Sequence, residues 1–187
     1  MNTTSSLAAL LKSTTYELCR PEGRVVGTPG HATAERYVAL SLAEIGCRPY
    51  RGTSFSLPYR RDGIRFTNFA GVIPGKDRSL APLLVGAHYD SVIEAPCADD
   101  NGAAVSICLA LGRLSKSLAI CRTILIPLSA SSAIILDGNL FYIPQGLGAT
   151  KRDWSLSNRI RRLQLGPGTR RLHPSGFQTY PLKSIST

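Results

Sequence analysis

Apolar positions set the first elements. Leu7, Leu10, Leu11 and Leu18 recur at helical spacing behind a Thr3-Thr4-Ser5 start, which predicts a helix ending near Leu18. The Gly/Pro-rich stretch RPEGRVVGTPGH then reads as a loop. Thr33 is the expected cap of a second helix whose stripe is Ala34, Tyr37, Val38, Ser41, Leu42 and Ile45, with Gly46 as its stop. Thr53–Leu57 and Ile64–Ile73 alternate as strands around an Arg60–Gly63 turn, so a hairpin at a sheet edge is expected.

Two short continuous apolar runs follow, Pro82–His88 and Arg122–Leu128. Runs of that kind predict strands buried on both faces, the second weakened by Pro127. Between them a helix is expected from Gly102 or Ala103 to about Leu114. The order helix, helix, hairpin, strand, helix, strand predicts an α/β fold, a mixed β-sheet sandwiched by helices. No internal repeat is present. Beyond Pro127 the periodicity lapses into Gly, Pro, Ser and Arg. A short strand near Ala133–Leu136 and a helical turn near Ser155–Leu163 are the only elements expected there. The chain thus divides into an ordered part, residues 1–128, and an irregular basic tail, residues 129–187.

Charge and composition refine this picture. Residues 151–187 hold eight of the 22 Lys and Arg and one of the 12 acids, so they carry +7 of the net +10. A basic tail can bind nucleic acid, but no aromatic interleaving or reader motif accompanies it. A solvated chain end is the plainer reading. The five cysteines are scattered without a CxxC pair, which argues against a zinc knuckle or a disulfide framework and suggests a reducing setting. No apolar run reaches the length of a membrane span, and the N-terminus lacks the pattern of a secretory leader. A cytoplasmic location without membrane contact is therefore expected; the oligomeric state is not legible.

The chemistry concentrates in LVGAHYDSVIEAPCADDNGAAV, Leu84 to Val105. His88 and Asp90 sit at the C-terminal end of a predicted strand, where open α/β sheets bind ligands. His88 offers an imidazole nitrogen to a metal. Asp90, two residues on, falls on the same side and can accept the other ring N–H. Asp99 and Asp100 precede a helix, and a carboxylate there can bridge two metal ions. Either feature alone is common, since an Asp before a helix is ordinarily a cap. Their order along the chain makes a metal site the sharper reading.

GAHYDS followed by ADDNGAAV resembles the zinc-dependent exopeptidases of metallopeptidase family twenty-eight, which include leucyl aminopeptidases, aminopeptidase Y and related glutaminyl cyclases. GTPGHATAERYVALSLAEIG is similar to the family's loop and second helix, and NFAGVIPG to its hairpin. The similarity covers roughly residues 10–128. It implies a zinc aminopeptidase-like fold, two zinc ions, and hydrolytic release of the N-terminal residue from a peptide with a free N-terminus. It also implies that His88 binds one zinc, Asp100 bridges both and Asp90 orients His88. Asp99, Asn101 and Gly102 would shape the turn without ligating. Cys97 stands where the family usually has Gly. His31, in the loop, is given no metal role.

The family also has a Glu-Glu pair after the strand matching Arg122–Leu128, the first acting as general base, and a later Asp and His as ligands. Here Ser131, Ser132 and Ala133 stand approximately at the Glu positions, and no Glu follows Glu94. Asp137, Asp153 and His173 match no family motif. A C-terminally incomplete or frameshifted family member, poorly active or inactive as written, is therefore expected; translating the gene in its other two frames tests the frameshift. The alternative is a non-catalytic remnant or binding module without a complete metal site. A basic-tail nucleic-acid binder is the third reading.

Overall fold

The computed structural model describes residues 3–118, 120–130, 133–136 and 139–142. Helix α1 spans Thr3–Leu18, as its leucine spacing predicts. Helix α2 spans Pro29–Glu44 and starts earlier than the Thr33 cap would have it. Thr28 is the cap, its hydroxyl accepting from the His31 N–H at 3.3 Å. Pro29 suits the first helical position, because its missing N–H would have been unpaired there anyway. Thr33 instead lies inside the helix and donates back to the Pro29 carbonyl. The predicted stripe is the buried face: Ala34, Val38, Ser41, Leu42 and Ile45 are buried, and Tyr37 is half-buried at its margin. Gly46 follows at φ 75°, the left-handed conformation that favours glycine at a helix end.

Strand β1 is the pair Arg48–Pro49, β2 is Ser56–Arg61 and β3 is Ile64–Ile73. The hairpin turn is tighter than expected. Arg60 and Arg61 pair with Arg65 and Ile64, leaving Asp62 and Gly63, both at positive φ, as a two-residue loop. Of the two hairpin strands, only β2 lies at a sheet edge. β3 is interior, bonded to β1 and β2 on one side and to β6 (Ile124–Ser129) on the other.

The run Pro82–His88 forms two short pieces, β4 (Leu83–Leu84) and β5 (Ala87–His88), both parallel to β6. Leu83 and Leu84 are only half-buried, contrary to the expectation of burial throughout. The interruption has a simple cause. By the register, Val85 and Gly86 lie opposite Ile126 and Pro127, and Pro127 has no N–H to offer a ladder. Helix α3 spans Ala103–Leu118, one turn longer than its apolar pattern suggested.

β6 is buried along its whole length at the centre of the sheet. One face packs on the helices: Phe69, Ile73, Ile126 and Leu128 join Val38, Leu42, Ile45, Val105 and Leu109 in a single core. Each such aliphatic side chain contributes roughly 1.5–3 kcal/mol by leaving water. Close approach of α3 to the sheet needs Gly112, where a Cβ would meet Ile126 Cδ1 at 2.9 Å. The opposite face carries a smaller cluster, Ala70 and Leu125 flanked by Tyr50, Leu57, Val72 and Leu84, with no helix residue in it.

Beyond β6, strand β7 (Ala133–Leu136) occurs where the sequence predicts it and pairs with an unforeseen β8 (Asn139–Tyr142). The helical turn expected near Ser155–Leu163 and the basic run lie outside the described residues. All five cysteines are free thiols. No described helix is long and apolar enough to cross a membrane.

Candidate metal centre

The parallel pairing of β5 with β6 places His88 beside Ser129 at the carboxyl ends of the strands. His88 and Asp90 share one side of the extended chain, and Tyr89 points to the other, into the helix-packed core. His88 is 2 % exposed and Asp90 7 %. His88 Nδ1 lies 3.1 Å from Asp90 Oδ1. With Asp90 accepting the Nδ1–H, the Nε2 lone pair is free for an external partner.

Asp100 supplies the second arm. It sits in a wide turn, Ala98–Gly102, whose residues Asp100 (φ −126°, ψ 82°) and Asn101 (φ −136°, ψ 34°) depart from helical geometry before α3 begins. The Asp100–Asn101 peptide is cis. Cys97, just before the turn, has φ 43° and ψ 56°. That is the left-handed region where glycine is at ease. Gly102 is fixed by crowding, because a Cβ there would collide with Cys19 Sγ. Asp99 is exposed and Asn101 half-buried.

The two arms meet. His88 Nε2 and Asp100 Oδ1 are 3.2 Å apart. Distance alone would allow an ion pair, yet the hydrogen-bond geometry is not met, and both atoms are buried without a hydrogen-bond partner. A buried polar atom left unpaired is costly, about 1–3 kcal/mol. A divalent cation between them would satisfy both. Two donors bound to one zinc at about 2.1 Å and a tetrahedral angle lie about 3.4 Å apart, close to the observed spacing. The pair therefore fits a metal. It does not complete a site: a catalytic zinc commonly takes three protein ligands, and among the described residues no group of three or more His, Cys, Asp or Glu is arranged to hold one.

Two further residues, His31 and Arg24, frame the pair. His31 lies in the first turn of α2, not in a loop, and stacks on Tyr89 with ring centroids 5.4 Å apart. Burial pushes its pKa below the ordinary 6.5, while the Glu35 and Asp90 carboxylates pull weakly the other way. The Tyr89 hydroxyl donates to the Thr67 carbonyl at 2.7 Å, and burial followed by Glu35 pushes its pKa up. A depressed histidine pKa means that the unfolded chain takes up a proton first on acidification. Stability from neutral His31 is thus whole above about pH 6.5 and falls as the pH drops toward the folded value. The urea midpoint should decline between pH 7 and 5, and less steeply in His31→Phe; equal slopes would refute the assignment. Arg24, which carries no motif in the sequence, is buried beneath the turn. Nothing local to its Gly/Pro stretch signals this, since three of its four carbonyl partners lie more than 60 residues away.

Residues 68–127 match Peptidase family M28. No curated protein matches the chain significantly. Among solved structures, a glutaminyl cyclase from an Acidobacteriales bacterium aligns with a TM-score of 0.53 at 19% identity, over 65% of this chain and 43% of its own. A Zn-dependent exopeptidase from Parabacteroides distasonis gives 0.53 at 19%, over 80% and 53%. A leucine aminopeptidase precursor from Bacteroides thetaiotaomicron gives 0.50 at 17%, over 66% and 45%. The chain thus spans about half the length of these proteins, and at such identities the likeness is one of fold. The sequence match and the mixed sheet around it agree: the segment that carries His88 and Asp100 matches Peptidase family M28, and the fold that holds it is shared with these solved structures.

Proposed function

We propose that this chain carries one limb of a zinc-dependent exopeptidase centre, and that its ancestral reaction is hydrolysis of a peptide at a free N-terminus. The observation that carries the reading is the facing pair of buried, unpartnered atoms, His88 Nε2 and Asp100 Oδ1, 3.2 Å apart. In this reading His88 and Asp100 hold a zinc ion, Asp100 is the ligand able to serve a second one, and Asp90 fixes the His88 ring. Asn101 and Gly102 shape the turn, with Asp99 at its exposed edge. Zinc bound there would supply Lewis acidity toward a peptide carbonyl.

The chain's own residues supply less than the reaction needs. No described residue fills the role of general base, and no Glu follows Glu94 anywhere in the sequence. Loss of that function alone costs a factor of about 10²–10⁴. The chain by itself is therefore expected to bind zinc while turning over slowly or not at all, which also supports a metal-binding module as the second reading. The test is to supply zinc and follow two reactions, release of p-nitroaniline from leucine p-nitroanilide and cyclisation of an N-terminal glutaminyl peptide. We expect neither to exceed about one hundredth of an ordinary turnover of ~10 s⁻¹. Turnover at an ordinary rate would overturn this reading.

A further inference from the structure

Arg24 is 1 % exposed, and its side chain donates to four carbonyl oxygens while also lying against the Cys19 thiol. Nε donates to Tyr89 O at 2.7 Å. Nη1 donates to Pro96 O at 2.6 Å and to Leu18 O at 3.3 Å. Nη2 donates to Cys97 O at 3.0 Å. The backbone adds to this: Arg24 N–H donates to Ser91 Oγ at 2.8 Å, and Arg24 O accepts from Ser91 N–H at 3.1 Å. One rigid, planar group thus joins three pieces of chain: the end of α1, the strand end between His88 and Asp90, and the segment three residues before Asp100.

We infer that Arg24 is the positioning residue of the metal pair, the strut that sets the separation between the His88 ring and the Asp100 carboxylate. The geometry favours this over a role in packing alone. Tyr89 is covalently flanked by His88 and Asp90, and Cys97 opens the left-handed bend from which the Asp100 turn departs. Both arms of the pair are therefore tied to the two ends of one guanidinium. A fork of fixed geometry can hold two carbonyls at a set distance, whereas a flexible ammonium cannot hold four acceptors in one plane. Gly102 lies against the same support: a Cβ there would be 3.8 Å from Arg24 Nη2.

The inference rests on the metal-pair reading, and the test separates the two. Zinc affinity of the whole chain is measured by competition with a chromogenic chelator, with Co(II) absorption as a second signature, for wild type, Arg24→Gln, Arg24→Lys and Val38→Ala. Val38 is a fully buried core residue of α2 that makes no polar contact with the pair or with Arg24, and it controls for lost stability. Supports of metal ligands typically change affinity 10–100-fold. We expect Arg24→Gln to weaken zinc binding about tenfold or more, Arg24→Lys to recover it only in part, and Val38→Ala to lower the melting temperature with affinity unchanged. Should Arg24→Gln fail to fold, Arg24→Lys alone decides the matter against Val38→Ala. Wild-type affinity in the folded Arg24 variants, or an equal loss in Val38→Ala, would overturn the positioning role. Absence of zinc on the wild type would instead overturn the pair reading, and this inference with it.

Discussion

His88→Ala is expected to abolish zinc binding, read by equilibrium dialysis and metal analysis of the folded chain. The described residues offer two facing donors, and the substitution leaves one, Asp100 Oδ1. A single carboxylate in competition with water holds zinc weakly, so the loss should exceed about a hundredfold. Asp90→Ala should be milder, about 10–100-fold, because Asp90 touches only the far ring nitrogen, at 3.1 Å. The order matters more than either value. If Asp90→Ala proved the more damaging, the aspartate rather than the histidine would be the ligand, and the assignment of the two ring nitrogens would be reversed. Loss of binding must be read against a melting curve, since His88 is almost wholly buried and its removal leaves a cavity.

Leu109→Ala is expected to cost about 3 kcal/mol, whereas Leu114→Ala, on the same helix, should cost less than about 0.5 kcal/mol. Both replacements gain slightly in helix propensity, so only packing separates them. Leu109 is fully buried in the core between α3 and the sheet, and Leu114 is 44 % exposed. A loss of about 3 kcal/mol is a large share of the ~5–15 kcal/mol typical of a folded domain. Urea denaturation of both variants provides the comparison. Similar midpoints would mean that α3 does not pack on the sheet as described.

Much of this arrangement is legible in residue order. The stripe from Ala34 to Ile45 marks the buried face of α2, because a helix against a sheet must bury one side. The apolar run at Arg122–Leu128 marks the central strand despite Pro127, and the His88–Asp90 spacing places both side chains on one side of a strand. Sequence and structure part where local chemistry admits two conformations. Thr28-Pro29-Gly30 lies in a Gly/Pro-rich stretch that reads as loop, yet a capping Thr followed by Pro is also a helix start. Asn139–Tyr142 has no sustained strand pattern of its own, although Asp137-Gly138 ahead of it is a dipeptide that favours hairpins. Other features lie outside what local order can show. Tertiary contacts alone bring Arg24 to Tyr89, Pro96 and Cys97, and the left-handed bend at Cys97 belongs to a residue type that gives no hint of it.

The most direct measurement is a crystal of the zinc-soaked chain, with anomalous difference maps recorded on both sides of the zinc edge. A zinc peak is expected within about 2.3 Å of both His88 Nε2 and Asp100 Oδ1, with Asp90 still against Nδ1. A zinc peak held by other residues, or none at saturating zinc with His88 and Asp100 still facing each other, would contradict it.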